Sequence, residues 1–266
     1  MNITNLQKLK PKKLIVFDLD GTLAPSKSIM DKEMDSLLAK LLSEKKVAVI
    51  GGGKYQLFQE QLLKEFTGPK QLLKHLFLFP TTSTAFYKYD RTWKKVYSLE
   101  LSKEEIRTIK QTFDKVFKEI GYQHPKKTYG VIIENRGSQV TWSALGQDVV
   151  KVLGKKGVAL KDKWRDENTE LKLKIAKLLQ KYLPGLEVRA AGHTSVDVTK
   201  KGIDKGYGLK QIEKHLKVKI KDMLFVGDAI FPGGNDYAVV RTGVDYIKVN
   251  SPEETKKVIQ AVLKQG

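Results

Sequence analysis

Two aspartates, Asp18 and Asp20, stand two residues apart directly after an apolar run, in the stretch FDLDGT. Like charges this close repel each other, so the pair is unfavourable unless something compensates it. Carboxylate oxygens are ligands that Mg²⁺ prefers, usually one or two of them together with waters and a phosphate. The stretch therefore predicts either an acidic surface turn or half of a metal-dependent site.

Three further features carry groups that suit phosphate chemistry. Asp228 ends the apolar stretch DMLFVGD, and Gly51, Gly52 and Gly53 follow the apolar stretch VAVI. Glycine leaves the backbone N–H groups open to a close approach by an anion. Lys205, at the start of a predicted helix, supplies a point charge for a phosphate. Each feature is common in loops by itself, but together, at strand ends and a helix start, they favour a phosphoryl-transfer site.

The elements that carry these groups predict a parallel sheet. Apolar runs at Leu14–Phe17, Val47–Ile50, Leu76–Phe79 and before Asp228 alternate with segments of helical periodicity. Strand–helix–strand repeats of this kind pair in parallel through right-handed crossovers. Ligands of such sheets bind at the carboxyl ends of the strands. We therefore predict an α/β fold with a Rossmann-like parallel sheet whose carboxyl edge holds the site.

The middle of the chain has a different pattern. Residues 85–198 contain predicted hairpins and amphipathic helices, which indicate an α+β unit with an antiparallel sheet. We predict that this unit is an inserted cap domain. Residues 1–84 and 199–266 then form the catalytic core domain.

The chemistry assigns different roles to the two aspartates. A carboxylate can attack phosphorus and form an aspartyl-phosphate, which is the role expected for Asp18. Asp20 is expected to protonate the leaving oxygen as a general acid and then to act as a base. A metal ion and Lys205 would take charge from the phosphoryl oxygens, which carries most of such catalysis.

Composition and charge narrow the classes of protein. The chain has 266 residues, no cysteine and no apolar run long enough to span a membrane, and residues 1–13 lack the apolar segment of a signal peptide. We expect a cytoplasmic protein without a membrane partner. The net charge of +19 comes mostly from dispersed lysines, with only six arginines, which argues against a nucleic-acid partner and for solvated helix faces. The positive field favours the arrival of an anionic substrate.

The motifs resemble those of the haloacid dehalogenase (HAD) superfamily. FDLDGT and VGDAIFPGGND are its most specific motifs in this chain. The inserted unit resembles the cap of its sugar-phosphate branch, which includes the Cof-like phosphatases and the eukaryotic-type phosphomannomutases. The phosphomannomutase similarity covers most of the chain, through GGGKYQLFQEQL, IIENRG, TSVDV, DKG and PGGND in that order. The resemblance implies a HAD fold and a Mg²⁺-dependent phosphotransferase that acts on a small phosphorylated substrate.

The resemblance also implies roles for individual core residues. Asp18 would be the nucleophile and Asp20 the acid/base. Mg²⁺ would be held by the side chains of Asp18 and Asp228 and by the backbone carbonyl of Asp20. The remaining core residues would bind the transferred phosphoryl group or order the loop around it. They are Gly51, Gly52, Gly53 and Lys205 for the phosphoryl group, and Asn235 and Asp236 for the loop.

In the cap, Arg136, Ser195 and Asp197 match positions that hold the sugar and its distal phosphate. Phosphomannomutases usually carry two further arginines after the position of Arg136, and one of them lies where this chain has Gln147. We keep Gln147 as a predicted substrate contact, but a neutral amide grips a phosphate less firmly than an arginine fork.

Three functions follow from this comparison. The first expectation is a phosphatase of a sugar phosphate or a similar small phosphate ester, because of Gln147. The alternative is a phosphomannomutase that interconverts mannose 6-phosphate and mannose 1-phosphate. The third is a non-catalytic basic binding protein. Related mutases dimerise through their caps, so a homodimer through the cap is also expected.

Overall fold

In the computed structural model, which describes residues 12–26 and 28–264, a seven-stranded sheet carries Asp18 at the end of one strand and Asp228 just beyond the end of another. Five neighbouring strands are parallel to one another, and each of the last two strands is antiparallel to the strand before it. In spatial order the strands are β11 (Asp245–Lys248), β10 (Met223–Gly227), β1 (Leu14–Asp18), β2 (Lys46–Ile50), β3 (Leu76–Phe79), β4 (Ala85–Asp90) and β5 (Thr92–Ser98).

Helices cover both faces of this sheet, as the continuous apolar runs require. Ile15 and Phe17 of β1 point into one buried cluster, and the alternate residues Leu14 and Val16 point into another. The helices around the sheet are α1 (Lys32–Glu44), α2 (Tyr55–Phe58), which continues as a π-helical turn at Gln59–Leu63, α6 (Lys205–Leu216) and α7 (Pro252–Leu263). Short 3₁₀ segments occupy Lys70–His75, Ile220–Asp222 and Tyr237–Thr242.

The chain divides into two units, which we call the core unit and the cap unit. The core unit comprises Met1–Ser98 and Asp204–Gly266, and the cap unit is Leu99–Ile203. In the described residues no helix is both long and apolar enough to cross a membrane. The prediction about a signal peptide rests mainly on residues 1–11, which lie outside the described residues.

The unit boundaries differ from the predicted ones because the hairpin β4–β5 belongs to the core sheet. We predicted it in the cap, but Leu78 of β3 pairs with Tyr87 of β4. Phe86 stacks on Phe79 with ring centroids 4.5 Å apart, and Tyr87 stacks on Tyr55 at 4.0 Å. These aromatic contacts extend the core sheet by two strands. The insertion therefore begins at Leu99, and at its other end it continues through β9 to Ile203.

The cap unit has the predicted antiparallel sheet, with strand order β6-β7-β9-β8. One face of this sheet packs around Trp142, Val196 and Val198 against helices, and the other face is polar. Its strands are β6 (Ile133–Asn135), β7 (Gln139–Ser143), β8 (Leu186–Ala191) and β9 (Ser195–Lys200). Its helices are α3 (Lys103–Glu119), α4 (Val149–Leu153) and α5 (Lys155–Tyr182).

Helix α5 is longer than predicted. The sequence pattern places its start near Asn168, but the structure begins it at Lys155 and interrupts it at Asn168, where the backbone leaves the helical region. A non-helical residue inside a helix marks a kink. Before the kink the buried residues are Gly157, Lys161 and Trp164, of which only the tryptophan is a large apolar residue, so the apolar pattern there is weak.

Candidate active site

The strand register brings the predicted acidic residues to one edge of the core sheet. Asp18 is the last residue of β1 and lies beside Ile50, the last residue of β2. On the other side, Phe17 pairs with Val226 of β10, so Asp228 follows at the same carboxyl edge. The expected edge of a parallel sheet therefore carries both carboxylates, as the apolar runs predicted.

Lys205 reaches this edge from the start of helix α6. Asp204 caps the helix by accepting a hydrogen bond from the N–H of Tyr207 at 2.8 Å, which fixes the first turn. The Lys205 ammonium lies 2.5 Å from Oδ1 of Asp18 and also contacts Oδ1 of Asp236. Asp18, Lys205 and Asp236 are 4%, 1% and 0% exposed, so this is a buried group of three charges.

Asp228 completes a cluster of three carboxylates. Asp18, Asp228 and Asp236 each offer an oxygen within 4.8 Å of the others. Glycines make this approach possible. A Cβ at Gly227 would stand 2.4 Å from Oδ2 of Asp236, and one at Gly21, which has a φ of +84°, would stand 2.5 Å from Oδ2 of Asp228.

Asp236 has a larger place in the site than we predicted. We predicted that it orders the loop, and its Oδ2 accepts a hydrogen bond from the N–H of Ala229 at 3.0 Å. Its Oδ1 is also a direct partner of Lys205. Asn235, predicted for the same role, has an exposed side chain and does not join the buried group.

The balance of charge in the cluster shifts the titration of its members. Burial raises the pKa of Asp18 well above its ordinary value, against the effect of Lys205, and Asp236 and Asp228 raise it further. Burial and Asp236 also raise the pKa of Asp228. Burial disfavours the charged form of Lys205, but Asp18 and Asp236 outweigh it and raise the pKa of that ammonium. With all three carboxylates ionised, the one ammonium would leave two negative charges, which a divalent cation matches.

Asp20 is not a member of this cluster of three carboxylates. Its side chain is hydrogen-bonded to Gln61, a residue that we did not predict to be in the site. Gln61, 2% exposed, donates a hydrogen bond from Nε2 to Oδ1 of Asp20 at 3.1 Å. A glutamine three residues after the buried Phe58 and next to the buried Leu62 lies on the apolar side of its helix. A polar residue on an apolar helix face was the available signal.

The three glycines after β2 form a tightly packed loop. A Cβ at Gly51 would stand 3.1 Å from the ring of Phe58, and one at Gly53 would stand 2.3 Å from Leu57. The N–H of Gly51 donates to the carbonyl of Phe79 at 3.2 Å, so this amide is part of the sheet edge. The loop therefore has the small residues that we predicted, in a fixed rather than a flexible conformation.

A left-handed turn holds this glycine loop in place. Thr81, Thr82 and Ser83 have φ values of 48°, 54° and 69°, a conformation that disfavours residues other than glycine by about 1–2 kcal/mol each. The N–H groups of Thr81 and Thr82 donate to the carbonyls of Gly53 and Gly51 at 2.8 and 2.9 Å. Strained backbone of this kind concentrates at functional sites. No glycine or asparagine marks the turn in the sequence, so it was not predicted.

In the cap unit, Arg136 and Gln147 lie together on the polar face of the sheet. The Arg136 guanidinium donates from Nε to Oε2 of Glu134 at 2.8 Å and from Nη2 to Oε1 of Gln147 at 2.9 Å. The charge of Arg136 is therefore balanced by Glu134, which the sequence analysis did not single out. Alternation along β6, which puts Glu134 on the polar face, was the signal for it.

Asp197 and Ser195 share this polar face, two residues apart on β9. Oδ1 of Asp197 accepts a hydrogen bond from the Thr141 hydroxyl at 2.7 Å. The amide of Gln147 donates to the backbone carbonyl of Thr141 at 3.4 Å. Ser195 pairs in register with Ser143 of β7. The structure thus collects all four predicted cap residues on one sheet face, with Thr141 linking two of them.

Solved structures with the same fold include proteins named as a nucleotidase and as a phosphatase. ATP-bound IMP-nucleotidase of Plasmodium falciparum superimposes with a TM-score of 0.71 at 18% identity, covering 99% of this chain and 62% of that chain. Trehalose-6-phosphate phosphatase of Aspergillus fumigatus (crystal form 2) gives a TM-score of 0.55 at 16% identity, covering 98% of this chain and 96% of that chain. At these identities the similarity defines the fold.

Relatives by sequence are phosphomannomutases. The enzyme of Saccharomyces cerevisiae is 27% identical over 258 residues, 95% of this chain and 94% of that protein. Phosphomannomutase 1 of Homo sapiens is 29% identical over 233 residues, 86% and 84% of the two chains. Fold and relatives together define a phosphotransferase enzyme of the HAD superfamily, as its motifs predicted.

The family model of the eukaryotic phosphomannomutases matches residues 34–265, and the chain belongs to that family. The matched residues include Lys205, Asp228 and Asp236 and begin after Asp18 and Asp20, whose place rests on the geometry above. The relatives favour the phosphomannomutase alternative over the phosphatase that the sequence analysis placed first.

Proposed function

We propose that this protein is a phosphomannomutase that interconverts mannose 6-phosphate and mannose 1-phosphate through a phosphorylated aspartate. One observation carries the proposal: Asp18, Lys205 and Asp236, which are almost completely buried, lie beside the partly buried Asp228 in a chain of the phosphomannomutase family. A buried excess of carboxylates at the carboxyl edge of a parallel sheet suits a site that receives a cation and a phosphate.

The first half of the reaction uses Asp18 and Asp20. An oxygen of Asp18 forms a bond to phosphorus while the bond from phosphorus to the leaving oxygen breaks, and Asp20 gives its proton to that oxygen. Lys205, 2.5 Å from Asp18, is placed to contact the phosphoryl oxygens next to the nucleophile. In the second half, Asp20 removes a proton from the accepting hydroxyl, and the phosphoryl group leaves Asp18 for that oxygen. Gly51, Gly52 and Gly53 line the phosphoryl group.

Mg²⁺ is the cofactor in this proposal. The cluster fits a divalent cation because its carboxylates are hard oxygen donors and exceed the available ammonium charge by two. Asp18 and Asp228 would hold it through their side chains and Asp20 through its backbone carbonyl. Asp236 is a fourth candidate, since its oxygens lie within the same cluster. When bound, the ion would neutralise charge on the carboxylates and on the phosphoryl oxygens.

The cap unit would bind the part of the substrate that does not react. Arg136, Gln147, Ser195 and Asp197 share one polar sheet face, a donor and acceptor set that suits hydroxyl groups and a second phosphate. The homodimer through the cap stays a prediction, which sedimentation of the purified protein tests.

The deciding experiment follows phosphorus in solution. The purified protein is given Mg²⁺ and mannose 1-phosphate, with and without a hexose 1,6-bisphosphate, and the products are read by ³¹P NMR. The mutase proposal expects mannose 6-phosphate in the reaction that contains the bisphosphate. The Asp18→Asn variant, which keeps the shape of the side chain and loses the nucleophile, is the matched control.

A sugar-phosphate phosphatase is the second candidate, favoured by Gln147. This neutral residue stands where related mutases usually carry an arginine, and here it is hydrogen-bonded to Arg136. A mutase must hold a bisphosphate by its second phosphate, and one arginine fork fewer weakens that grip. Free mannose and inorganic phosphate, without mannose 6-phosphate, would decide for the phosphatase. No turnover of mannose 1-phosphate or of a panel of small phosphate esters would contradict both candidates and favour the basic binding protein.

A further inference from the structure

We propose that Gln61 is a positioning residue for the phosphoryl-transfer reaction: it holds the Asp20 carboxylate in the orientation that proton transfer requires. The inference rests on the proposed function. It also goes beyond it, because it assigns a role to a residue outside the acidic cluster.

The Gln61 amide is fixed by its two hydrogen bonds. Nε2 donates to Oδ1 of Asp20 at 3.1 Å and to the backbone carbonyl of Ser28 at 3.0 Å. Both partners are acceptors, so the nitrogen and not the oxygen of the amide must face them. Each of its two N–H bonds has its own partner. The amide is thus an oriented donor for Asp20 and has no equivalent flipped state.

The backbone of Gln61 reinforces this placement. Its carbonyl accepts a hydrogen bond from the N–H of Met30 at 2.9 Å, while its side chain binds the carbonyl of Ser28. Gln61 therefore binds the segment after the Asp20 loop at two residues, Ser28 and Met30. The loop itself is closed by a 2.7 Å hydrogen bond from the N–H of Gly21 to the carbonyl of Ala24. The side chain of Gln61 therefore joins its own helical turn to the Asp20 loop and to the segment at Ser28.

A purely structural residue at this position would be apolar. Gln61 is 2% exposed, and its Oε1 is buried without a hydrogen-bond partner among the described residues. A buried acceptor without a donor destabilises a fold, and an apolar side chain of the same length would avoid this. Gln61 also sits in the π-helical turn Gln59–Leu63, and such turns are frequent at functional sites. The unfavourable burial of Oε1 and the position of Gln61 in a π-helical turn both indicate that its contact with Asp20 has a functional role.

The contact matters because Asp20 must give a proton to an oxygen that is leaving phosphorus. A catalytic group displaced by about 1 Å can lose about a hundredfold in rate. Without Gln61, Oδ1 of Asp20 would lose the donor that orients it. Asp18 and Lys205 would keep their own contact. With a substrate whose leaving oxygen needs no proton, the rate at which Asp18 forms its bond to phosphorus should therefore fall little.

The test compares Gln61→Met with Gln59→Met. The first substitution removes the donor at nearly constant length, and the second changes an exposed glutamine of the same turn. Single-turnover phosphorylation of the enzyme is measured with mannose 1-phosphate, which needs a proton at the leaving oxygen, and with p-nitrophenyl phosphate, which does not. Gln61→Glu, of the same shape and without an N–H donor, replaces Gln61→Met if that variant does not fold.

For mannose 1-phosphate, Gln61→Met is expected to lower the rate by about tenfold to a hundredfold with KM within about twofold of the native value. With p-nitrophenyl phosphate, the rate of Gln61→Met should stay within about threefold of the native rate. Gln59→Met should leave the rate unchanged with both substrates. An equal loss with both substrates, or no loss with mannose 1-phosphate, overturns the proposal.

A crystallographic arm separates this inference from the proposed function. If the native protein phosphorylates itself with neither substrate, the proposed function fails, and the inference is judged on structures of the native and Gln61→Met proteins. If Gln61 positions Asp20, the Asp20 carboxylate should change its orientation in Gln61→Met and keep its native orientation in Gln59→Met. An unchanged Asp20 in both variants overturns it.

Discussion

The carboxyl edge of the core sheet and the polar face of the cap sheet differ in how their charges are balanced. At the core edge, Asp18, Lys205 and Asp236 are almost completely buried, and carboxylates outnumber the ammonium. On the cap face, Arg136 is balanced by Glu134, and the neighbouring polar groups are hydrogen-bonded to one another.

The difference indicates a division of work. An unbalanced buried charge is unfavourable and becomes stable only when a ligand balances it, so the core edge is suited to a cation and a phosphoryl group. A polar network whose charges are already balanced changes little when a neutral hydroxyl replaces water, and it suits selection of a substrate. Substitutions in the core should therefore alter kcat and stability strongly, and those in the cap should alter mainly KM.

The largest contrast is expected between Asp18→Asn and Asp197→Asn. Loss of the nucleophile should lower kcat by about 10⁴-fold or more, whereas loss of one charged hydrogen-bond acceptor in the cap should lower kcat/KM by about tenfold. Steady-state kinetics with mannose 1-phosphate measures both, and circular dichroism checks that each variant is folded. Comparable losses in kcat for the two variants would remove the distinction between the regions.

The second contrast concerns stability. Lys205→Met leaves the buried carboxylates without their ammonium and should lower the free energy of unfolding by about 3–5 kcal/mol. Arg136→Met breaks a partly exposed pair and should cost about 1.5 kcal/mol. Urea denaturation monitored by tryptophan fluorescence measures these values. Lys210→Met, at an exposed position of the same helix as Lys205, is the control and should be nearly neutral.

The third prediction uses Mg²⁺ and pH. The pKa values of Asp18 and Asp228 are raised in the folded chain, so the stability they contribute is present below the ordinary carboxyl pKa of about 4 and is lost as pH rises through the folded values. Mg²⁺ should offset this loss. At a concentration about 100 times its Kd it should raise Tm by about 5–10 °C at pH 7.5, and by much less at pH 4.5.

Thermal denaturation with Mg²⁺ or EDTA measures this effect, and Asp228→Asn is the matched variant. It removes one carboxylate and should abolish most of the Mg²⁺-dependent shift. A shift of the same size in Asp228→Asn, or a larger shift at pH 4.5 than at pH 7.5, would contradict the assignment of the metal to the cluster.

The smallest effect is expected in the cap. Gln147→Ala removes the hydrogen bond from Arg136 and the one to the backbone carbonyl of Thr141, and should raise KM for mannose 1-phosphate by about fivefold with kcat unchanged. Gln111→Ala, at an exposed position of α3, should change neither constant. A fall in kcat at constant KM would mean that Gln147 acts in the transition state, and the comparison between the two regions would then be incomplete.

Most of the core could be predicted because local patterns decided it. Continuous apolar runs define strands buried on both faces, and the carboxyl ends of such strands carry ligand groups. The hairpin β4–β5 was assigned to the wrong unit for a physical reason. Its alternating pattern is the same whether it pairs with a cap strand or with β3, and tertiary contacts such as the stacking of Phe86 on Phe79 and of Tyr87 on Tyr55 decide between them.

The sequence by itself determined the types of groups in the site and the ends of the strands that carry them: Asp18, Asp228 and Lys205 follow from apolar periodicity and from a helix start. Tertiary structure alone decided the partners of these groups. Asp236 meets Lys205 across 31 residues, and Gln61 meets Asp20 across 41. Such contacts depend on how loops and helices pack over the sheet, and no local periodicity specifies a pairing over that distance.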